Sequence, residues 1–151
     1  MDILLSLKPV YAKAILSRKK RYEFRRVIFK KPSVKKAYIY VTAPVSKIVG
    51  AFMIGKIIVD TPRKVWQKCK KYAGITAEVF FKYYQGCQTA FAIQIQKVQN
   101  FLHPLDPYSK LPNFKPPQSF CYINYELYPE GISLEGRIRS LFLNLVRYFT
   151  S

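Results

Sequence analysis

Lys47–Val59 reads as one long β-strand that carries glycines at positions 50 and 55. A glycine inside a strand has no side chain to pack, so it marks a bulge or the corner where a sheet bends into a small barrel. Other strands surround it in sequence. Ile3–Lys8 is a short apolar run, Arg21–Arg26 alternates with a period of two, and Ala37–Thr42 is strand-like. In Thr89–Val98, Phe91, Ile93 and Ile95 alternate with Ala92, Gln94 and Gln96, and Phe120–Tyr125 returns as an edge strand. Three helices fall between them. Pro9–Ser17 has Val10 and Ala14, and Tyr11 and Ile15, at helical spacing. Thr61 caps a helix that runs from Pro62 to near Gly74. Thr76 caps another, with Glu78 in its first turn, that ends before Gly86. The order predicts an α+β fold: five or six mixed strands in a small barrel flanked by helices.

At 151 residues the chain is the size of one domain. Five prolines lie between Pro104 and Pro117, so this stretch is expected to be an ordered wrap or a linker and neither a central strand nor a helix. Ser133–Tyr148 reads as an amphipathic helix with a stripe of Leu134, Ile138, Leu141, Leu145 and Phe149. The expected division is a domain over residues 1–123 and an extension over 124–151 whose helix packs on it. That helix could instead serve a protein partner.

The composition narrows the classes of function. There are 26 Lys and Arg against 8 Asp and Glu, a net charge of +18, which points to polyanionic partners, nucleic acid first. The longest apolar run, Ile48–Gly55, is far short of the roughly 18 residues of a membrane helix. The first residues lack the layout of a signal peptide. The cysteines, Cys69, Cys87 and Cys121, are odd in number and far apart, and His103 is the single histidine. No zinc site, disulfide framework or histidine-based triad is expected, no cofactor is called for, and the default location is a reducing cytoplasm.

The charge is uneven. Residues 3–59 hold 14 Lys and Arg but one carboxylate, Glu23. The densest part is Arg18-Lys19-Lys20-Arg21-Tyr22-Glu23-Phe24-Arg25-Arg26. Period two puts Tyr22 and Phe24 on one strand face and Arg21, Glu23 and Arg25 on the other. Glu23 either orients these cations and accepts from a base amino group, or forms a local ion pair that offsets crowded positive charge. Tyr22 and Phe24 are expected in the core. Tyr38 and Tyr40 alternate with Ile39 and Val41, so one of those two pairs is expected to be exposed. Lys68, Lys70 and Lys71 read as a solvated helix face.

The segment Leu5–Arg26, LSLKPVYAKAILSRKKRYEFRR, resembles the start of stand-alone bacterial and archaeal ASCH (activating signal cointegrator homology) proteins of the PUA-like superfamily. Their motif, G-x-K-x-x-E-x-R, lies at a helix-to-strand junction. Lys20, Glu23 and Arg25 fill its last three places, and Arg18 stands where the glycine is expected, as a bulky cation at the mouth of the cleft. APVSKIVGAFMIGKI resembles the family's long strand, AFAIQI a later one and PPQSFCYI its closing segment, so the likeness spans about residues 1–123.

The resemblance implies a PUA-like barrel that binds RNA, or single-stranded DNA, in a cleft beside the motif. Lys20 and Arg25 would contact phosphate or base edges, with Glu23 between them and Ser6 and Lys8 nearby. Arg18, Lys19, Arg21, Arg26, Lys30, Lys31, Lys35 and Lys36 would supply attraction independent of sequence. One branch of the fold hydrolyses acetylated cytidine with a threonine nucleophile, a lysine and a distant glutamate. Only the lysine carries over, to Lys20; Glu23 takes the threonine's place, and Lys47–Val59 holds no glutamate. The enzymatic alternative is therefore a hydrolase on a modified nucleoside, or a ribonuclease, using Lys20 and Glu23 as acid and base.

Overall fold

In the computed structural model the described residues are 1–124 and 127. The strands are β1 (Asp2–Leu7), β2 (Tyr22–Arg25), β3 (Lys36–Val41), β4 (Lys47–Asp60), β5 (Ala90–Leu105) and β6 (Phe120–Ile123). The helices are α1 (Pro9–Leu16), α2 (Pro62–Cys69), α3 (Ala77–Tyr83) and the short α4 (Pro107–Lys110). The strands form one mixed six-stranded sheet in the order β2-β5-β4-β3-β1-β6. β1 and β3 are parallel and every other pair is antiparallel. The expected α+β fold of PUA-like type is present, as a half-barrel: the sheet curls but stays open between its edge strands β2 and β6.

The curl comes from register shifts, one in the β3–β4 ladder and three in the β4–β5 ladder. Each extra unpaired residue adds local twist and bends the strand. Two of the shifts fall at the glycines read as bends. At Gly50 the backbone of β5 and the tip of Leu16 come so close that an added Cβ would collide with the Gln99 carbonyl oxygen and lie 3.0 Å from Leu16.

Three apolar clusters share the sheet. α1 covers the concave face, where Ile3, Leu5, Ile15, Ile39, Phe52 and Ile93 pack. α2 and α3 cover the β2–β5 end through Phe24, Val65, Phe80 and Tyr84. On the outer face Leu4, Tyr38, Tyr40, Ile48 and Phe101 lie under Leu111, Phe114 and Ile123. That last cluster corrects one expectation: neither pair on β3 is exposed, since Tyr38, Ile39, Tyr40 and Val41 are all buried. The proline-rich segment is the wrap that covers the tyrosines, and against expectation it holds the short helix α4, which Pro107 opens at the first turn. Thr61 and Thr76 cap α2 and α3 as expected, accepting from the Lys64 and Val79 amides.

A second correction concerns β5. It does not stop at Val98 but runs through His103 and Pro104 to Leu105. β2 pairs with β5 only from Phe91 to Gln94. Beyond that point β5 has a partner on one side, and a strand with an open side tolerates a proline's missing N–H. The predicted helix at Ser133–Tyr148 lies outside the described residues. Among the described residues no helix is long and apolar enough to cross a membrane.

The two interior glycines of β4 differ in a way that can be measured. Gly50→Ala forces a methyl against backbone and is expected to cost about 1–3 kcal/mol. Gly55→Ala meets the ends of the Gln94 and Gln96 side chains, which can swing away, and should cost clearly less. Urea unfolding midpoints of the two variants beside the parent check this.

Candidate nucleic-acid interface

The site begins where α1 ends. Arg18 sits in the left-handed region at φ 63° and its amide donates to the Ile15 carbonyl at 2.9 Å. This is the helix-ending turn in which glycine is favoured, and another residue costs roughly 1–2 kcal/mol there. The turn reverses the chain, so that the Lys20 amide bonds the Ala14 carbonyl at 3.0 Å and β2 starts beside the helix it has just left.

Lys20, Glu23 and Arg25 are the buried charged residues among those described, at 2%, 6% and 7% exposure. The Lys20 ammonium donates to the Ala73 carbonyl at 2.7 Å, lies 4.5 Å from the Phe24 ring centre and stands 4.0 Å from a Glu23 oxygen. Its stem packs on Gly74, which has φ +67°; a Cβ there would fall 2.5 Å from the Lys20 Cβ. Burial lowers the pKa of Lys20 below the usual lysine value, and the Glu23 carboxylate partly opposes that shift.

Arg25 reaches farther. Nη2 donates to the Ser6 carbonyl at 3.1 Å and meets Glu23 Oε1 at 3.1 Å, while Nη1 donates to the Ser119 carbonyl at 3.3 Å and its hydroxyl at 3.1 Å. One guanidinium thus ties β2 to β1 and to the residue before β6, across the opening of the half-barrel. Its Nε–H is buried with no partner among the described residues. Two cations against one carboxylate leave the cluster with a net positive charge.

A cleft of about 630 Å³ opens above this cluster. Lys20, Glu23 and Arg25 form its polar floor, Leu7, Phe24 and Ile75 line its walls, and Val27, Val79 and Tyr83 stand exposed at the rim. The Arg26 guanidinium lies 4.9 Å from the Tyr83 ring centre. Apolar walls over a few convergent polar groups are the general design of a small-ligand pocket.

The residues singled out from the sequence divide into three sets. Ser6, Lys8, Lys20, Glu23, Arg25 and Arg26 line the cleft, with the Ser6 hydroxyl donating to the Pro117 carbonyl at 2.6 Å. Arg18 and Arg21 line a separate hollow that Lys20 also lines. Lys19 is exposed and lines neither. Nor do Lys30, Lys31, Lys35 and Lys36; Lys31 lies over the Tyr122 ring and Lys36 over Tyr38. Sequence reasoning missed Tyr11, Tyr83, Gln118 and Ser119 in the cleft. Tyr11 and Tyr83 offered only helical spacing, and Ser119 offered no signal at all. No group of three or more His, Cys, Asp or Glu among the described residues is placed to hold a metal ion.

No family model matches the sequence. An ASCH domain-containing ribonuclease of Zymomonas mobilis is 29% identical over 140 residues, covering 91% of this chain and 94% of that protein. The crystal structure of the Zymomonas mobilis ASCH protein superposes with a TM-score of 0.75 at 29% identity, over 82% of this chain and 87% of that one. In sequence and in fold the chain is similar to ASCH domain proteins. A segment of Ureaplasma parvum ATP synthase subunit alpha is also similar, 31% identical over 122 residues, which are 80% of this chain but 15% of that protein. A segment of Ureaplasma parvum ribosomal protein uL22 is 29% identical over 103 residues, 33% of that protein.

The buried Lys20 makes stability depend on pH. A lysine whose folded pKa is lowered holds its proton less tightly in the folded state, so stability rises with pH as the solution approaches the unfolded value near 10.5. Lys20→Met removes that dependence. The stability of the parent relative to Lys20→Met is therefore expected to grow between pH 7 and pH 10 in urea titrations. A difference constant across that range would contradict the burial of a titrating Lys20.

Proposed function

We propose that this domain binds single-stranded RNA, with a nucleobase seated in the cleft over Lys20, Glu23 and Arg25. The observation that carries the reading is the floor itself. A buried, net-cationic cluster lies beneath apolar walls, and a base supplies polar edges for the floor and faces for the walls. Glu23 is the acceptor available for a base amino group. Tyr83, braced by Arg26, offers a stacking face at the rim. A duplex cannot present a base in this way without flipping it out, so single strands are preferred. The +18 net charge supplies the attraction that does not depend on sequence.

A second reading, that the bound RNA is also cut, is favoured by the relative named a ribonuclease. Attack of a ribose 2′-oxygen on the adjacent phosphorus forms a P–O bond and expels the 5′-oxygen. Glu23 is the carboxylate in reach to take the 2′-hydroxyl proton. Lys20, whose hold on its proton burial has weakened, is suited to give one to the departing oxygen.

Fluorescence anisotropy across salt concentrations tests binding with single-stranded RNA, duplex RNA and duplex DNA. Single-stranded RNA should bind tightest, with a log–log salt slope of about −3 to −4 for about 4–6 phosphates. Tyr83→Ala with Arg26→Ala alters exposed residues only, so the fold is kept. It should weaken binding about five- to 160-fold, the range expected for one stacked base at about 1–3 kcal/mol. Equal affinity for all three ligands, unchanged in that variant, would leave a nonspecific charge field and no recognition site. For the second reading, labelled RNA should be cut by the parent and not by Lys20→Met, and acetylated cytidine should be left intact. An uncut RNA removes cleavage and leaves binding standing.

A further inference from the structure

Lys20 forms part of the wall of two hollows. The second is a groove of about 400 Å³ lined by Arg18, Arg21, Gln96 and Lys97 among others, with no acidic residue in its lining. Arg18, Arg21 and Lys97 are all exposed.

These cations are held in place. Arg18 at φ 63° and Lys97 at φ 45° both occupy left-handed backbone, where glycine or asparagine is easier to accommodate. Arg18 Nη2 reaches the Val98 carbonyl at 3.4 Å, which directs it across the groove toward β5. The Arg21 guanidinium lies 4.1 Å from the Tyr72 ring centre. Three exposed like charges around one hollow, with Lys20 in its wall, repel each other and stabilise nothing by their mutual contact. An anion placed among them relieves that repulsion, and phosphate oxygens match the guanidinium fork.

The geometry points to a phosphate subsite: the groove of Arg18, Arg21 and Lys97 seats the backbone phosphates that flank the nucleotide held in the cleft. The inference rests on the reading of the cleft as an RNA site and deepens it. A strand that passes from the cleft over Lys20 into the groove is read as a strand, while a free nucleotide meets only the cleft. Arg18, in the place of the motif's glycine, then has a use that glycine could not supply.

The test exploits the backbone. Arg18→Gly with Lys97→Asn removes two cations and puts residues suited to left-handed backbone in their places, so the melting temperature should hold or rise. Binding of a 12-nucleotide single-stranded RNA should weaken, and the magnitude of the salt slope should fall by about 1.4, a loss near 25-fold at 0.1 M salt for two phosphates. Lys64→Ala with Lys110→Ala is the charge-matched control, since both residues are exposed and line neither hollow. An equal fall in the control would reduce the groove to part of the general field and overturn the inference. An unchanged slope in the groove variant, with binding still weakened by Tyr83→Ala and Arg26→Ala, would overturn the subsite and keep the cleft. Failure of the parent to bind RNA would overturn both.

Discussion

The Arg25 guanidinium closes what the sheet leaves open. β2 and β6 are the sheet's two edges and do not pair. Arg25, on β2, spans the opening with donors to Ser6 and Ser119, which are bonded to each other on the β1–β6 side, and its charge is met by Glu23. A sheet closed by backbone pairing would have filled the space between those edges. Closure by one side chain leaves a hollow above it, and that hollow is the cleft. The Tyr84 hydroxyl steadies the arrangement, its single proton shared between the Arg25 carbonyl at 3.0 Å and the Phe91 carbonyl at 3.2 Å.

This closure is costly in a way that bears on function. Taking charges out of water costs several kcal/mol per ion, and apolar residues of the same size are often as stable or more so. Here two cations and a carboxylate are buried together, and one donor remains without a partner among the described residues. Stability alone does not call for such a floor. In the reading proposed above, the polar edge of a base meets this floor.

Much of this was legible in the sequence, and the misses have physical causes. The period-two alternation put Phe24 in the core and Glu23 and Arg25 on the other face, as the structure has them. The glycines of Lys47–Val59 marked real bends. Sequence did not show that the charged face is itself buried. That burial depends on Ala73, 53 positions from Lys20, and on Ser119, 94 positions from Arg25. The same distance effect hid the burial of Tyr38 and Tyr40, which is set by the later wrap of Leu111 and Phe114. Pro104 was read as a stop because a proline breaks a strand paired on both sides, whereas β5 there is paired on one.

A structure of the domain with a short single-stranded RNA tests the central claim most directly. The account predicts a base within the cleft, its polar edge within about 3 Å of the Lys20, Glu23 or Arg25 groups that form the floor, and Arg25 still bonded to Ser6 and Ser119. RNA seated instead on the exposed lysines of α2 or of residues 30–36, with the cleft empty, would contradict it.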